Sequence, residues 1–228
     1  YRSLLLNLVG GYNTALGYQS MYNNLADANT GIGYSSLYAN TSGVNNTGVG
    51  YWSLWANQTG SNNTAVGRFA LQGVNNNSFS NNTAVGYNAG KAITTGTQNI
   101  AMGVAALTAI TTGSDNTALG FDSLKAVTTG SQNVVVGSTA DVSAAAATNQ
   151  VVIGYGATGF ANNSVTLGNT SNESVFITSI VSTKPLVELK NTTNDANSGI
   201  LKLVKDKGFA GADGDDIGIL EFIGDDAV

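Results

Sequence analysis

The ionisable groups that could do chemistry are few and cluster near one end of the sequence. Asp213-Gly214-Asp215-Asp216, with Asp206 nearby, offers carboxylates to a hard cation. Their spacing does not match an EF-hand loop, and a charge run of this kind reads as a solvent-facing turn, so no metal is expected. Glu188 and Glu221 have the residue type of a glycoside-hydrolysing pair. Both fall in short alternating segments without a supporting motif. The chain has no His and no Cys, which removes the most used general base near neutral pH and the common zinc, haem and iron–sulfur ligand sets. No catalytic residue and no cofactor is expected, and the protein is read as a non-enzyme.

Aromatic side chains are better candidates for function, because Tyr and Trp supply large amphipathic contact area. Tyr18, Tyr34, Tyr51 and Tyr87 occupy one recurring position, continued by Phe121 and Tyr155. Such regularity points to packing. Trp52 and Trp55 flank Leu54 and break the regularity, and Phe79 closes the run Asn75-Asn76-Asn77-Ser78-Phe79. Trp52, Trp55 and Phe79 are therefore expected to face solvent and to contact a receptor.

These residues sit within an internal repeat. Asn13-Thr14-Ala15-Leu16-Gly17-Tyr18-Gln19-Ser20-Met21 returns as Asn29-Thr30-Gly31-Ile32-Gly33-Tyr34-Ser35-Ser36-Leu37. It returns again as Asn46-Thr47-Gly48-Val49-Gly50-Tyr51-Trp52-Ser53-Leu54. Shorter versions come after these, and the structural repeat is anchored by Gly17, Gly33, Gly50, Gly67, Gly86, Gly103, Gly120, Gly137, Gly154 and Gly168. The usual spacing of these glycines is about 17 residues, too short for a helix pair. It predicts an all-β protein, a parallel β-solenoid of about ten coils. One strand per coil is expected at Thr-Ala-Val and a second at Tyr-x-Ser-Leu, with Gly and Asn supplying the turns. The pairs Asn45-Asn46, Asn62-Asn63 and Asn81-Asn82 are expected to stack as amide ladders along the axis.

Alternation within the first strand has a further consequence. Its aliphatic column reads Leu16, Ile32, Val49, Val66, Val85, Met102, Leu119, Val136, Ile153 and Leu167; the opposite column is mostly Ala and Gly. Both faces call for burial. A coil this thin has one interior, so the second face is expected to be covered by another copy of the chain. The pattern gives oligomerisation but not its order.

The wording Asn-Thr-Ala-Val-Gly-Tyr-x-Ser-Leu resembles the head repeats of trimeric autotransporter adhesins of the YadA-like kind. Longer variants of it are similar to repeats in bacteriophage tail fibres and related appendages. The resemblance covers roughly residues 1–172 and implies a left-handed β-roll assembled as a homotrimer. The coils here are longer than those of the adhesin heads, implying larger loops at one edge.

Composition changes after residue 172. Residues 1–172 carry Arg2, Arg68, Lys91 and Lys125 against Asp27, Asp115, Asp122 and Asp141, so the chain's net charge of −5 comes entirely from residues 173–228. That acidic part, with Pro185 near its start, reads as a short strand-rich region at Leu186-Val187-Glu188-Leu189, Ile200-Leu201-Lys202-Leu203-Val204 and Ile217-Gly218-Ile219-Leu220-Glu221-Phe222. It is similar to the region beyond the solenoid in phage tail fibres, and is expected to be truncated at its C-terminal end. The opening at Tyr1-Arg2-Ser3-Leu4 falls inside a coil and reads as a segment of a longer polypeptide.

The expected function is a structural fibre segment of a phage or virus tail appendage that contributes to host-cell attachment. Its partners would be itself, other appendage proteins and a host glycan or protein receptor. A net negative charge argues against a nucleic-acid partner, so none is expected, and no apolar run nears the roughly 20 residues of a membrane span. The expected location is the virion tail or an extracellular surface. The head of a bacterial surface adhesin is the alternative, and a glycan-cleaving tailspike a weaker one.

Overall fold

The computed structural model describes residues 2–74 and 77–171. The acidic region 173–228, with its expected strands, Glu188, Glu221, Asp206 and the 213–216 acidic run, lies outside the described residues, as do Asn75 and Asn76.

Ten three-residue strands recur along the chain: β1 (Thr14–Leu16), β2 (Thr30–Ile32), β3 (Thr47–Val49), β4 (Thr64–Val66), β5 (Thr83–Val85), β6 (Ile100–Met102), β7 (Thr117–Leu119), β8 (Val134–Val136), β9 (Val151–Ile153) and β10 (Val165–Leu167). They form one parallel sheet in chain order. Register keeps to the repeat: Thr47 pairs with Thr64, Gly48 with Ala65 and Val49 with Val66. The described residues form an all-β parallel solenoid, and none of them is helical. β-Branched Thr and Val favour the extended backbone, and the glycine after them ends each strand. Gly50 has φ 134°, and a Cβ there would lie 2.5 Å from the carbonyl oxygen of Gly67 in the next coil. Only glycine meets both conditions. A φ of 128–145° recurs at Gly17, Gly33, Gly67, Gly86, Gly103, Gly120, Gly137 and Gly154, and Gly168 is also positive at 82°, which accounts for the anchoring column.

The Tyr-x-Ser-Leu segment is not a strand, contrary to the sequence expectation. Its x and Leu positions adopt left-handed φ: 48° and 53° at Ser35 and Leu37, 57° and 52° at Trp52 and Leu54. Such values cost an L-residue about 1 kcal/mol or more each. Inter-coil hydrogen bonds offset that cost. The Ser35 N–H donates to Tyr18 O at 2.8 Å, and the Leu37 N–H donates to Ser53 O at 2.9 Å. Ser35 and Leu37, two residues apart, thus bond to opposite neighbouring coils. Ser53 and Leu54 both turn inward and are fully buried. Tyr51, Trp52 and Trp55 are left outside, an arrangement that period-2 alternation does not give.

The interior is one residue deep. Ala65, Ala84, Ala101 and Ala118, the strand centres, are buried with Leu54, Leu71, Leu107 and Leu124 from the turning segment. Where the strand centre is Gly31 or Gly48, a serine faces it: Ser20 Oγ and Ser36 Oγ donate to those glycine carbonyls at 2.7 and 2.8 Å. A buried amide ladder lines one corner, through Asn29, Asn46, Asn63, Asn82, Asn99, Asn116 and Asn133. An exposed ladder runs beside it, with Asn45 Nδ2 donating to Asn62 and Asn62 Nδ2 to Asn81. The inner ladder donates toward the preceding coil and the outer toward the next one, so their dipoles oppose. Both were legible as stacked pairs.

Candidate functional site

The outward positions of the turning segment form three columns along the solenoid. The position after each anchoring glycine reads Tyr18, Tyr34, Tyr51, Arg68, Tyr87. The next position reads Gln19, Ser35, Trp52, Phe69, Asn88, and the position four beyond the first reads Tyr22, Tyr38, Trp55, Gln72, Lys91. In-register coils bring equivalent side chains into stacking distance. Tyr18 stacks on Tyr34 at 5.2 Å and Tyr34 on Tyr51 at 5.1 Å. Tyr22 stacks on Tyr38 at 5.4 Å and Tyr38 on Trp55 at 6.2 Å.

Trp52 joins the two stacks. Its ring lies 5.2 Å from Tyr51 and 5.3 Å from Trp55, near parallel to both. Phe69 abuts the array edge-on, 5.6 Å from Tyr51 and 5.9 Å from Trp52. The aromatic face thus runs continuously from Tyr18 to Tyr87, whose ring is 6.1 Å from Phe69. The Trp52 indole nitrogen is buried without a hydrogen-bond acceptor among the described residues, so stacking rather than polar contact holds that ring.

Two cations finish the face. The Arg68 guanidinium lies 4.6 Å from the centre of the Phe69 ring and 5.5 Å from that of Tyr51. The Lys91 ammonium lies 5.1 Å from the same Phe69 ring. Ring quadrupoles attract both charges. The one ion pair seen among the described residues lies elsewhere, Lys125 Nζ to Asp122 Oδ2 at 2.7 Å. That hydrogen bond and charge raise the Lys125 pKa above its ordinary value.

The three residues expected to contact a receptor divide here. Trp52 and Trp55 are half-buried and lie together on the aromatic face. Phe79 does not face solvent; it is 1% exposed and belongs to the core. Its coil is the longest, and the extra residues move Val74 outward to 49% exposure. In neighbouring coils the residue equivalent to Val74 is the buried Asn57 or Ile93. Phe79 fills the vacated corner, aided by Gly73, where a Cβ would come within 3.0 Å of the phenyl ring. A two-residue insertion here refills the interior instead of only enlarging a loop.

Arg68, Phe69 and Lys91 were not singled out from the sequence. The signal was present: Arg68 occupies the tyrosine position of its own coil. Summing the charges of residues 1–172 to zero concealed where the individual charges lie.

Other features offer less chemistry. A cavity of about 420 Å³ at the last coils is lined by Gly156, Thr158, Thr166, Gly168, Asn169 and Thr170. It holds no titratable group. No cluster of three or more His, Asp or Glu side chains able to hold a metal occurs among the described residues. Asp141 is partly buried, and desolvation raises its pKa, but its oxygens accept the backbone N–H groups of Val142 and Ala126 and serve to cap a turn.

No family model, curated protein or solved structure matches the chain.

Proposed function

We propose that the chain is a non-enzymatic, homotrimeric fibre segment of a phage or viral tail appendage, working at the virion or another extracellular surface in host-cell attachment. One observation carries this reading. The outward aliphatic column of the sheet, from Leu16 to Leu167, stays apolar in every coil. Leu16, Val66, Val85, Met102, Leu119, Ile153 and Leu167 are 36 to 67% exposed on the single chain, and Ile32, Val49 and Val136 are half-buried. An apolar stripe this long is costly in water and marks an association surface. A rod of identical coils with one such seam suits a fibre in which parallel copies run side by side. The left hand and the three-fold order come from the resemblance of the repeat to adhesin heads and tail fibres. Attachment would draw on many weak contacts repeated along each copy, which is avidity rather than one deep pocket.

Sedimentation equilibrium tests this. The expected mass is three chains at micromolar concentration, and Val66→Asp or Val85→Asp should dissociate the assembly, because a carboxylate in a closed apolar seam costs several kcal/mol. A stable folded monomer would refute the reading.

A further inference from the structure

We infer that the aromatic face ending at Arg68 and Lys91 binds an acidic polysaccharide, with the sugar chain laid along the exposed row of tyrosines and a carboxylate held by the two cations. The inference rests on the attachment reading above and gives it a ligand class.

The arrangement of charge is the reason. Arg68 and Lys91 converge on one ring, Phe69, at 4.6 and 5.1 Å. Neither has a carboxylate partner among the described residues. Lys125 occupies the same column as Lys91, two coils further on, and there the facing position holds Asp122, which pairs with it at 2.7 Å. In the coil of Lys91 the facing position holds Asn88. The ring that Arg68 and Lys91 share places the two charges within about 10 Å of each other; like charges in that range without a counter-ion repel, and a bound anion offsets the repulsion. Arginine presents a planar fork that matches a carboxylate bidentately.

The rest of the face selects what carries the anion. Tyr34, Tyr51 and Tyr87 are exposed; Trp52 and Trp55 share the coil of Tyr51, and Arg68 takes the tyrosine position in the coil between Tyr51 and Tyr87. The stacked rings turn their faces to one another and their edges outward, so a sugar chain would meet ring edges and phenol hydroxyls, which hydrogen-bond to its own hydroxyl groups. A linear polymer can lie along the row with one uronic acid at the cationic end. Two cations are too few for a nucleic acid, whose affinity rises with the number of phosphates neutralised.

The test measures binding of the full chain to three probes by isothermal titration calorimetry. These are polygalacturonate, neutral dextran and a single-stranded oligodeoxythymidylate. Polygalacturonate should bind, and should weaken about tenfold with each of Arg68→Gln and Lys91→Gln. It should also weaken with added salt, and dextran should be insensitive to both changes. Unchanged polygalacturonate binding in the double variant would overturn the inference, as would equal or tighter binding of the oligonucleotide. If dextran binds and polygalacturonate does not, acidic selectivity fails while the attachment reading survives. If no glycan binds, the inference is overturned and the fibre reading stands or falls on sedimentation. Sedimentation of both variants gives one further outcome: a lower mass would mean that the cations join chains rather than bind sugar, and would also overturn it.

Discussion

The carboxamide oxygen of Asn46 accepts two hydrogen bonds from Asn63, one from its backbone N–H at 3.0 Å and one from Nδ2 at 2.9 Å. Asn63 in turn accepts from both nitrogens of Asn82 and sends Nδ2 to the Phe79 carbonyl at 2.8 Å. The ladder ends at Gln150, whose backbone still donates to Asn133 while its longer side chain turns to Ser143. Each asparagine therefore satisfies the next coil's backbone as well as its own amide. Asn63→Ala should strip a buried N–H of its acceptor and cost about 3 kcal/mol. Asn62→Ala, in the exposed ladder but at φ 60°, should cost only about 1 kcal/mol, chiefly because alanine tolerates the left-handed backbone less well than asparagine. Urea unfolding midpoints of the two variants decide, and equal losses would contradict the ladder's role.

Phe79 offers a second test of the interior. Its ring fills the corner that Val74 leaves, so Phe79→Ala should open a cavity and cost about 3–5 kcal/mol. Val74→Ala, at a half-exposed site, should change stability by well under about 1 kcal/mol. A large loss at Val74 with a small one at Phe79 would mean that Val74 and not Phe79 fills the corner. The readout is thermal or urea unfolding of the folded assembly.

The solenoid itself was legible because its causes are local and repeat. A glycine at positive φ, a β-branched strand and an amide corner return in each coil, so one physical requirement leaves ten marks on the sequence. Phe79 was misread because burial there depends on a two-residue insertion, and an insertion shows its length but not its direction. Tyr-x-Ser-Leu was misread as a strand because its left-handed residues, Ser35 and Leu37 among them, are not glycine or asparagine. Nothing in their chemistry announces φ near +50°. That error hid the site as well. Strand alternation would separate Trp52 from Trp55, whereas the actual backbone places them together. Arg68 already stood in the tyrosine column of the sequence, whereas Lys91 gained its meaning only in space, where it meets Phe69 of the preceding coil.

Asp141 gives the solenoid a pH dependence whose sign is fixed. Burial raises its pKa above the ordinary value of 3.8, partly opposed by the Val142 and Ala126 N–H groups and by Lys125. The folded state therefore holds this proton more tightly than the unfolded chain does. Its contribution to stability is fully present below 3.8 and is lost as the pH rises through the raised folded value. Asp141→Asn removes that step. Stability of the wild type relative to Asp141→Asn should fall between about pH 3 and pH 7. Urea midpoints for both proteins across that range check the direction, and a rising difference would contradict it.

Trp52 and Trp55 are the chain's two tryptophans, and their stacking reports on the backbone between them. Three residues apart on a strand, they would point to opposite faces. The left-handed φ values at Trp52 and Leu54 instead put both rings outside, 5.3 Å apart and within 22° of parallel. Two indoles so placed couple their electronic transitions, and circular dichroism should show a paired band of opposite signs. Trp55→Phe and Trp52→Phe should each abolish that band while leaving the fold intact, because phenylalanine keeps the stacking surface. Trp52→Phe should cost the less of the two, since it also removes a buried indole N–H that has no acceptor among the described residues. A wild-type spectrum without the paired band, or one unchanged by either substitution, would mean that the two rings do not meet. The face that bridges the tyrosine stacks would then not exist as described.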